Sequence, residues 1–224
     1  MAPVGAEREP RGIVLVAHGG QSASTAPVTA TQLAVLRMIP IATAIRRAVS
    51  ADRIEVRRPL FSVRGWNGAQ ASPVGDLARL LDELHARSPA VPVVLVGHSM
   101  GARAAMRAAG HPAVIAAAGL APWLPPGEPV DQLAGRRVLL AHGTADQTTS
   151  PAETWAYAGR AGDLCDLTAI EVNSGDHPML RRAPLWHSIA AEFTRVAFGL
   201  PAGTGEAAAA IAAAKRGARH ITLT

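Results

Sequence analysis

Val91-Pro92-Val93-Val94-Leu95-Val96-Gly97-His98-Ser99-Met100-Gly101 is an apolar, β-branched run that ends in a glycine-framed serine. The helix-prone segment Ala102-Arg103-Ala104-Ala105-Met106-Arg107-Ala108-Ala109 follows at once. A chain that passes from strand to helix within so few residues holds the serine in a strained conformation. Side chains two residues before and two after it would collide across the turn, so Gly97 and Gly101 fit where bulkier residues would not. The Ser99 hydroxyl then stands clear at the carboxyl edge of a sheet. The helix behind it aims its first N–H groups, that of Met100 included, toward developing negative charge. Gly-x-Ser-x-Gly alone is a short pattern, and an ordinary strand-to-helix turn can use the same residues. Its place between a buried strand and a helix is what gives it weight.

Outward from this point, strands alternate with helices. Gly12-Ile13-Val14-Leu15-Val16-Ala17 is a continuous apolar run, as in a strand buried on both faces, and it ends in His18-Gly19-Gly20-Gln21. Residues 30–49 carry a helical stripe of Leu33, Leu36, Ile41, Ile45 and Val49, which Pro40 should kink or interrupt. A second strand is predicted over 54–61. A helix over 73–86 follows, with Leu77, Leu80, Leu81 and Leu84 on its inner side. Further strands are predicted over 113–120, 137–141 and 167–172, with helices over 152–162 and 184–198. The result is an α/β fold, a mainly parallel sheet of about six strands with helices on both faces.

The chain has 224 residues, so residues 1–199 are read as one core domain that opens with a loose leader, 1–11. Residues 200–224 form an alanine-rich tail. Its helix-prone part, 206–216, has little apolar bulk. It either folds onto the core, frays, or docks on a second copy and makes a homo-oligomer. The last residues, 220–224, could join a sheet edge.

The net charge of +5 invites a nucleic-acid reading, but the basic charge is scattered arginine, Lys215 is the sole lysine, and aromatics make up only 4%. That is too few for a base-stacking platform. Cys165 is the only cysteine, so no internal disulfide forms, and its surroundings suit a packed thiol. Glu7, Arg8, Glu9 and Arg11 leave no apolar signal region, and no apolar run has membrane-spanning length. A cytoplasmic protein with no membrane and no nucleic-acid partner is expected. No His/Cys/Asp grouping has metal-ligand spacing, and no phosphate-cradling or dinucleotide glycine motif is present, so no cofactor is expected.

Catalytic groups of parallel sheets gather at the carboxyl ends of strands. The loops after residues 17, 96, 141 and 172 should therefore meet. They carry His18-Gly19-Gly20, Ser99, Asp146 and His177. A serine hydroxyl needs a base to remove its proton, a histidine does this near neutral pH, and a carboxylate on the other ring nitrogen orients it. His177 is the candidate base and Asp146 the candidate acid. Asp163 and Asp166 are the fallback acids. Asp176 adjoins His177 but diverges from it. His18, His98 and His142 read as structural, and Arg181 and Arg182 as a solvated pair at a helix start.

In Gly97-His98-Ser99-Met100-Gly101, His142-Gly143-Thr144-Ala145-Asp146, Gly175-Asp176-His177 and the turn His18-Gly19-Gly20, residues 12–199 resemble a compact α/β-hydrolase, similar to small esterases and dienelactone-hydrolase-like members. The resemblance implies a three-layer fold that lacks the family's first two strands and has no cap domain. Where many relatives insert a helical cap, this chain has Pro122-Trp123-Leu124-Pro125-Pro126-Gly127. It further implies an oxyanion hole from the N–H groups of Met100 and Gly20, with Gln21 as runner-up. Trp123 is the candidate for lining the acyl pocket, and it packs equally well as a loop aromatic. The implied activity is that of a serine carboxylesterase acting on a small-molecule ester. A thioesterase or acyltransferase is second, and a non-catalytic binding module is the reading from another class.

Overall fold

A computed structural model describes residues 9–214 and 220–224. The strands are β1 (Gly12–Ala17), β2 (Ile54–Arg57), β3 (Val93–His98), β4 (Val114–Leu120), β5 (Arg137–Gly143), β6 (Asp166–Val172) and β7 (His220–Leu223). The helices are α1 (Leu33–Leu36), α2 (Met38–Ala48), α3 (Ser72–Arg87), α4 (Met100–Ala108), α5 (Pro151–Ala161), α6 (Ala183–Ala197) and α7 (Glu206–Ala214). The strands form one sheet in the order β2-β1-β3-β4-β5-β6-β7, and every pairing is parallel.

Alternate side chains of each strand feed two cores. Val14, Val16, Val94, Val96 and Ile170 meet α2 and α6 on one face, where Trp186, Ile189 and Phe193 are buried. Ile13, Leu15, Val93 and Leu95 meet α3, α4 and α5 on the other, with Leu77, Leu81 and Tyr157. This two-sided burial explains why the central strands read as continuous apolar runs. Each fully buried Leu, Ile or Phe contributes about 1.5–3 kcal/mol, and that reserve lets the loops at the strand ends hold strained conformations.

At three places the structure resolves local features that the sequence left open or misplaced. The helix expected over 30–49 breaks at Arg37, ahead of Pro40. Pro40 cannot donate to the Leu36 carbonyl and its ring would clash there, so α1 ends at Leu36. Pro40 itself sits in the first turn of α2, where N–H groups have no helical partner to lose. β2 stops at Arg57, not at 61, because Pro59 offers no ladder donor. The third feature is the tail, which supplies a seventh strand. β7 pairs with β6, while Ala207, Ala210, Ile211 and Leu223 join the core beside α6. The small alanines let α7 approach closely. Residues 215 and 216 of the expected helix and 1–8 of the expected leader lie outside the described residues. Among the described residues no helix is long and apolar enough to cross a membrane.

Candidate active site

The turn between β3 and α4 has the geometry its glycines imply. Ser99 holds φ 54° and ψ −119°. A Cβ on Gly97 would lie 2.3 Å from the Gly101 carbonyl oxygen, and one on Gly101 would lie 2.3 Å from the His18 carbonyl oxygen. Neither backbone contact can give way, so a larger residue at either position would open the turn. The Ser99 N–H donates to the Leu120 carbonyl at 3.1 Å, which fixes the elbow to the adjacent strand.

Ser99, His177 and Asp146 meet at the carboxyl edge of the sheet. Ser99 Oγ lies 3.1 Å from His177 Nε2, and His177 Nδ1 lies 2.8 Å from Asp146 Oδ2. The carboxylate can only accept, so His177 carries its proton on Nδ1 and presents the Nε2 lone pair to the serine hydroxyl. All three residues are largely buried. The fallback acids lie elsewhere. Asp166 is exposed at the start of β6 and paired with Arg137, and Asp163 also precedes that strand. Asp176 Oδ1 accepts from the N–H groups of Leu180 and Arg181 and shapes the loop after the histidine.

Asp146 has more partners than the sequence reading anticipated. Oδ2 also accepts from His142 Nε2 and from the Thr149 hydroxyl, each at 3.0 Å. Oδ1 accepts from the N–H groups of Thr148 at 2.8 Å and Thr149 at 3.0 Å. Burial alone would raise the Asp146 pKa. The bonds from His142, His177, Thr149 and Thr148 outweigh it and hold the carboxyl far below its ordinary range. His142 is fully buried, and its Nδ1 accepts from the Thr154 hydroxyl at 2.7 Å. Its position four residues before the acid is the one sequence sign of this role.

His98 and His18 brace the site without entering it. His98 Nε2 donates to the His177 carbonyl at 2.9 Å, which ties the elbow to the histidine loop. Burial first, and the nearby His177 second, push its pKa down to about 3, so it stays neutral. His18 Nδ1 donates to the Gly19 carbonyl at 2.7 Å, and its Nε2 accepts from the Phe61 N–H at 3.2 Å. Burial lowers its pKa as well, against the opposing Gly19 bond.

The turn that His18 anchors brings Gly20 beside the elbow: a Cβ on Gly20 would lie 2.4 Å from the Met100 methyl carbon and 2.3 Å from the Arg64 carbonyl oxygen. The Gln21 N–H is already committed to the Arg64 carbonyl at 2.8 Å. The N–H groups of Gly20 and Met100 have no acceptor among the described residues.

Trp123 is half-buried and its N–H donates to the Ser99 carbonyl at 3.3 Å. Its ring packs on the Arg103 guanidinium, whose carbon lies 4.5 Å from the Trp123 centroid and 3.9 Å from that of Trp66. Arg103 in turn pairs with buried Glu128, which also accepts from Arg107 Nε at 2.6 Å. This stack holds residues 121–128 against α4 and shapes the wall beside Ser99. Glu128→Ala would leave Arg103 buried without a partner, and a loss of about 3–5 kcal/mol is expected in urea unfolding. Glu128→Gln keeps one acceptor and should lose less.

The link from β4 to β5, residues 121–136, contains a single short 3₁₀ turn, Asp131–Leu133, and no cap. No protein-family model matches the sequence, and no curated protein matches it either. Solved structures do. A lidless α/β serine hydrolase from Xanthomonas campestris matches with a TM-score of 0.60 at 19% identity, over 87% of this chain and 85% of that one. An esterase from Pyrococcus furiosus matches with a TM-score of 0.63 at 16% identity, over 85% of this chain and 84% of that one. The esterase domain of a Rhodothermus marinus protein matches with a TM-score of 0.59 at 18% identity, over 86% and 89%. With this strand order, a serine at the tight turn after β3 and no lid between β4 and β5, the chain has the α/β-hydrolase fold.

Proposed function

We propose that this protein is a serine hydrolase that cleaves a carboxylic ester through an acyl-enzyme. The observation that carries the reading is the unbroken hydrogen-bond chain from Ser99 Oγ through His177 to Asp146, at the end of a strained elbow. The naming of structural neighbours as esterases supports it.

In this reading Ser99 Oγ bonds to the ester carbonyl carbon while its proton passes to His177 Nε2. Asp146 holds the imidazolium that results. The carbonyl oxygen becomes an oxyanion within reach of the Gly20 and Met100 N–H groups, each such donor supplying about a hundredfold or more in rate. The carbon–oxygen bond to the alcohol then breaks, and His177 returns the proton to the departing oxygen. Water attacks the acyl-enzyme with His177 again as base, which releases the acid and restores Ser99.

A fluorophosphonate probe tests this directly. Wild-type protein should be labelled and Ser99→Ala should not. Folded wild-type protein that resists the probe would return the chain to the class of binding modules. Parallel turnover of matched esters and thioesters identifies the leaving atom.

A further inference from the structure

The chain leaving His177 forms one wall of an open cleft of about 360 Å³, and the other wall comes from α1 and the start of α2. Leu33, Leu36, Met179 and Leu180 line it together with Arg37 and His187. Two of these leucines are unusual for a soluble surface: Leu33 is 77% exposed and Leu180 71%. They face one groove, unlike the scattered apolar residues common on protein surfaces.

Arg37 is the charged group in this lining. It is half-buried, and its guanidinium makes no hydrogen bond or ion pair with any described residue. Asp176 acts on it from beyond ion-pairing distance, and one Asp176 oxygen is spent on the N–H groups of Leu180 and Arg181. Burial lowers the Arg37 pKa by more than Asp176 raises it, so the cation sits where solvation is poor and is only partly compensated. Burial also lowers the pKa of His187, which lines the same cleft. A desolvated guanidinium in an apolar cleft is matched by an anion carried on an apolar group.

Ester chemistry says which part of a substrate reaches this place. The departing oxygen must come within hydrogen-bond reach of His177 Nε2. Pro178, Met179 and Leu180, the residues that follow His177 in the chain, line the cleft, so one of its walls begins a single residue after the base. We propose that the cleft holds the leaving-group side of the substrate, an apolar arm of medium length whose terminal carboxylate pairs with Arg37. This assignment rests on the hydrolase reading above and narrows it to esters of ω-hydroxy acids and their aromatic analogues.

The test compares ω-acetoxyoctanoate with octyl acetate as substrates, and ω-hydroxyoctanoate with octanol as ligands in calorimetric titration. Wild type should favour the charged ester in kcat/KM, and the charged ligand in Kd, by roughly tenfold to a hundredfold. Arg37→Gln should bring both ratios close to one, and Arg37→Lys should keep part of them. Ratios that are equal in wild type and Arg37→Gln overturn the assignment while leaving hydrolysis intact. Charge-selective binding that depends on Arg37, without turnover of either ester, keeps the cleft and removes the hydrolase reading. Absence of both removes both.

Discussion

Ser99→Gly is expected to abolish ester turnover and at the same time to make the protein more stable. Loss of the attacking hydroxyl should lower kcat/KM by about 10⁴-fold or more. The stability gain follows from the backbone. A non-glycine residue at φ 54° and ψ −119° stores about 1–3 kcal/mol of strain, because its Cβ crowds its own peptide groups. Glycine has no Cβ and releases the strain, although its freer unfolded chain takes back about 0.5–1 kcal/mol. The net gain should be about 1 kcal/mol, or roughly 3 °C in Tm for a chain of this size. Ser99→Ala is the control: it removes the hydroxyl and keeps the Cβ, so activity should vanish without the rise in Tm. A thermal melt and an ester assay on the two variants separate chemistry from strain. If glycine proves no more stable than alanine, the elbow stores nothing, and the fold does not spend stability to present this serine.

The same logic explains what could be read from the sequence. β1, β3 and β5 are buried on both faces, so their apolar runs needed no periodicity to stand out. Ser99 and Asp146 follow such runs, β3 and β5, within a few residues, His177 follows the more mixed strand β6, and a parallel sheet brings those ends together. Their convergence was therefore legible without any view of side chains. The tail was not. Alanine at 207, 208 and 210 reports helix propensity but carries too little apolar bulk to say which surface it meets, and only Ile211 and Leu223 hint at the core. The Arg103 stack was hidden for another reason. Arg103 stands on α4 like any solvated helix arginine, while Glu128 and Trp123 come from a proline-rich loop whose course depends on tertiary contacts. The crowding of donors on Asp146 was hidden as well, since Thr149 and His142 reach it only once the loop has closed.

That crowding makes Asp146→Asn the second large expected effect. Oδ1 accepts from two backbone N–H groups, so an asparagine must place its carbonyl oxygen there and turn its NH₂ toward Oδ2's former partners. Those partners, His177 Nδ1 and His142 Nε2, both arrive as donors in the native protein. Donor would face donor. His177 relieves the clash by moving its proton to Nε2, which is then unable to accept from Ser99. The loss expected for such a tautomer change is about 10⁴-fold in kcat, with KM little altered. Stability should change with a definite sign in pH. The Asp146 side chain is fully buried and its folded-state pKa is depressed. Its contribution is therefore fully present above the unfolded carboxyl pKa of about 4 and is lost as pH falls below it. Wild type should exceed Asp146→Asn in urea unfolding at neutral pH, and the gap should narrow steadily on acidification from about pH 4 downward. A gap that stays constant across that range would mean that Asp146 is held by shape and not by its charge. An Asp146→Asn enzyme with near-native kcat would move the orienting role for His177 to Thr149, whose hydroxyl lies 3.2 Å from the same ring nitrogen.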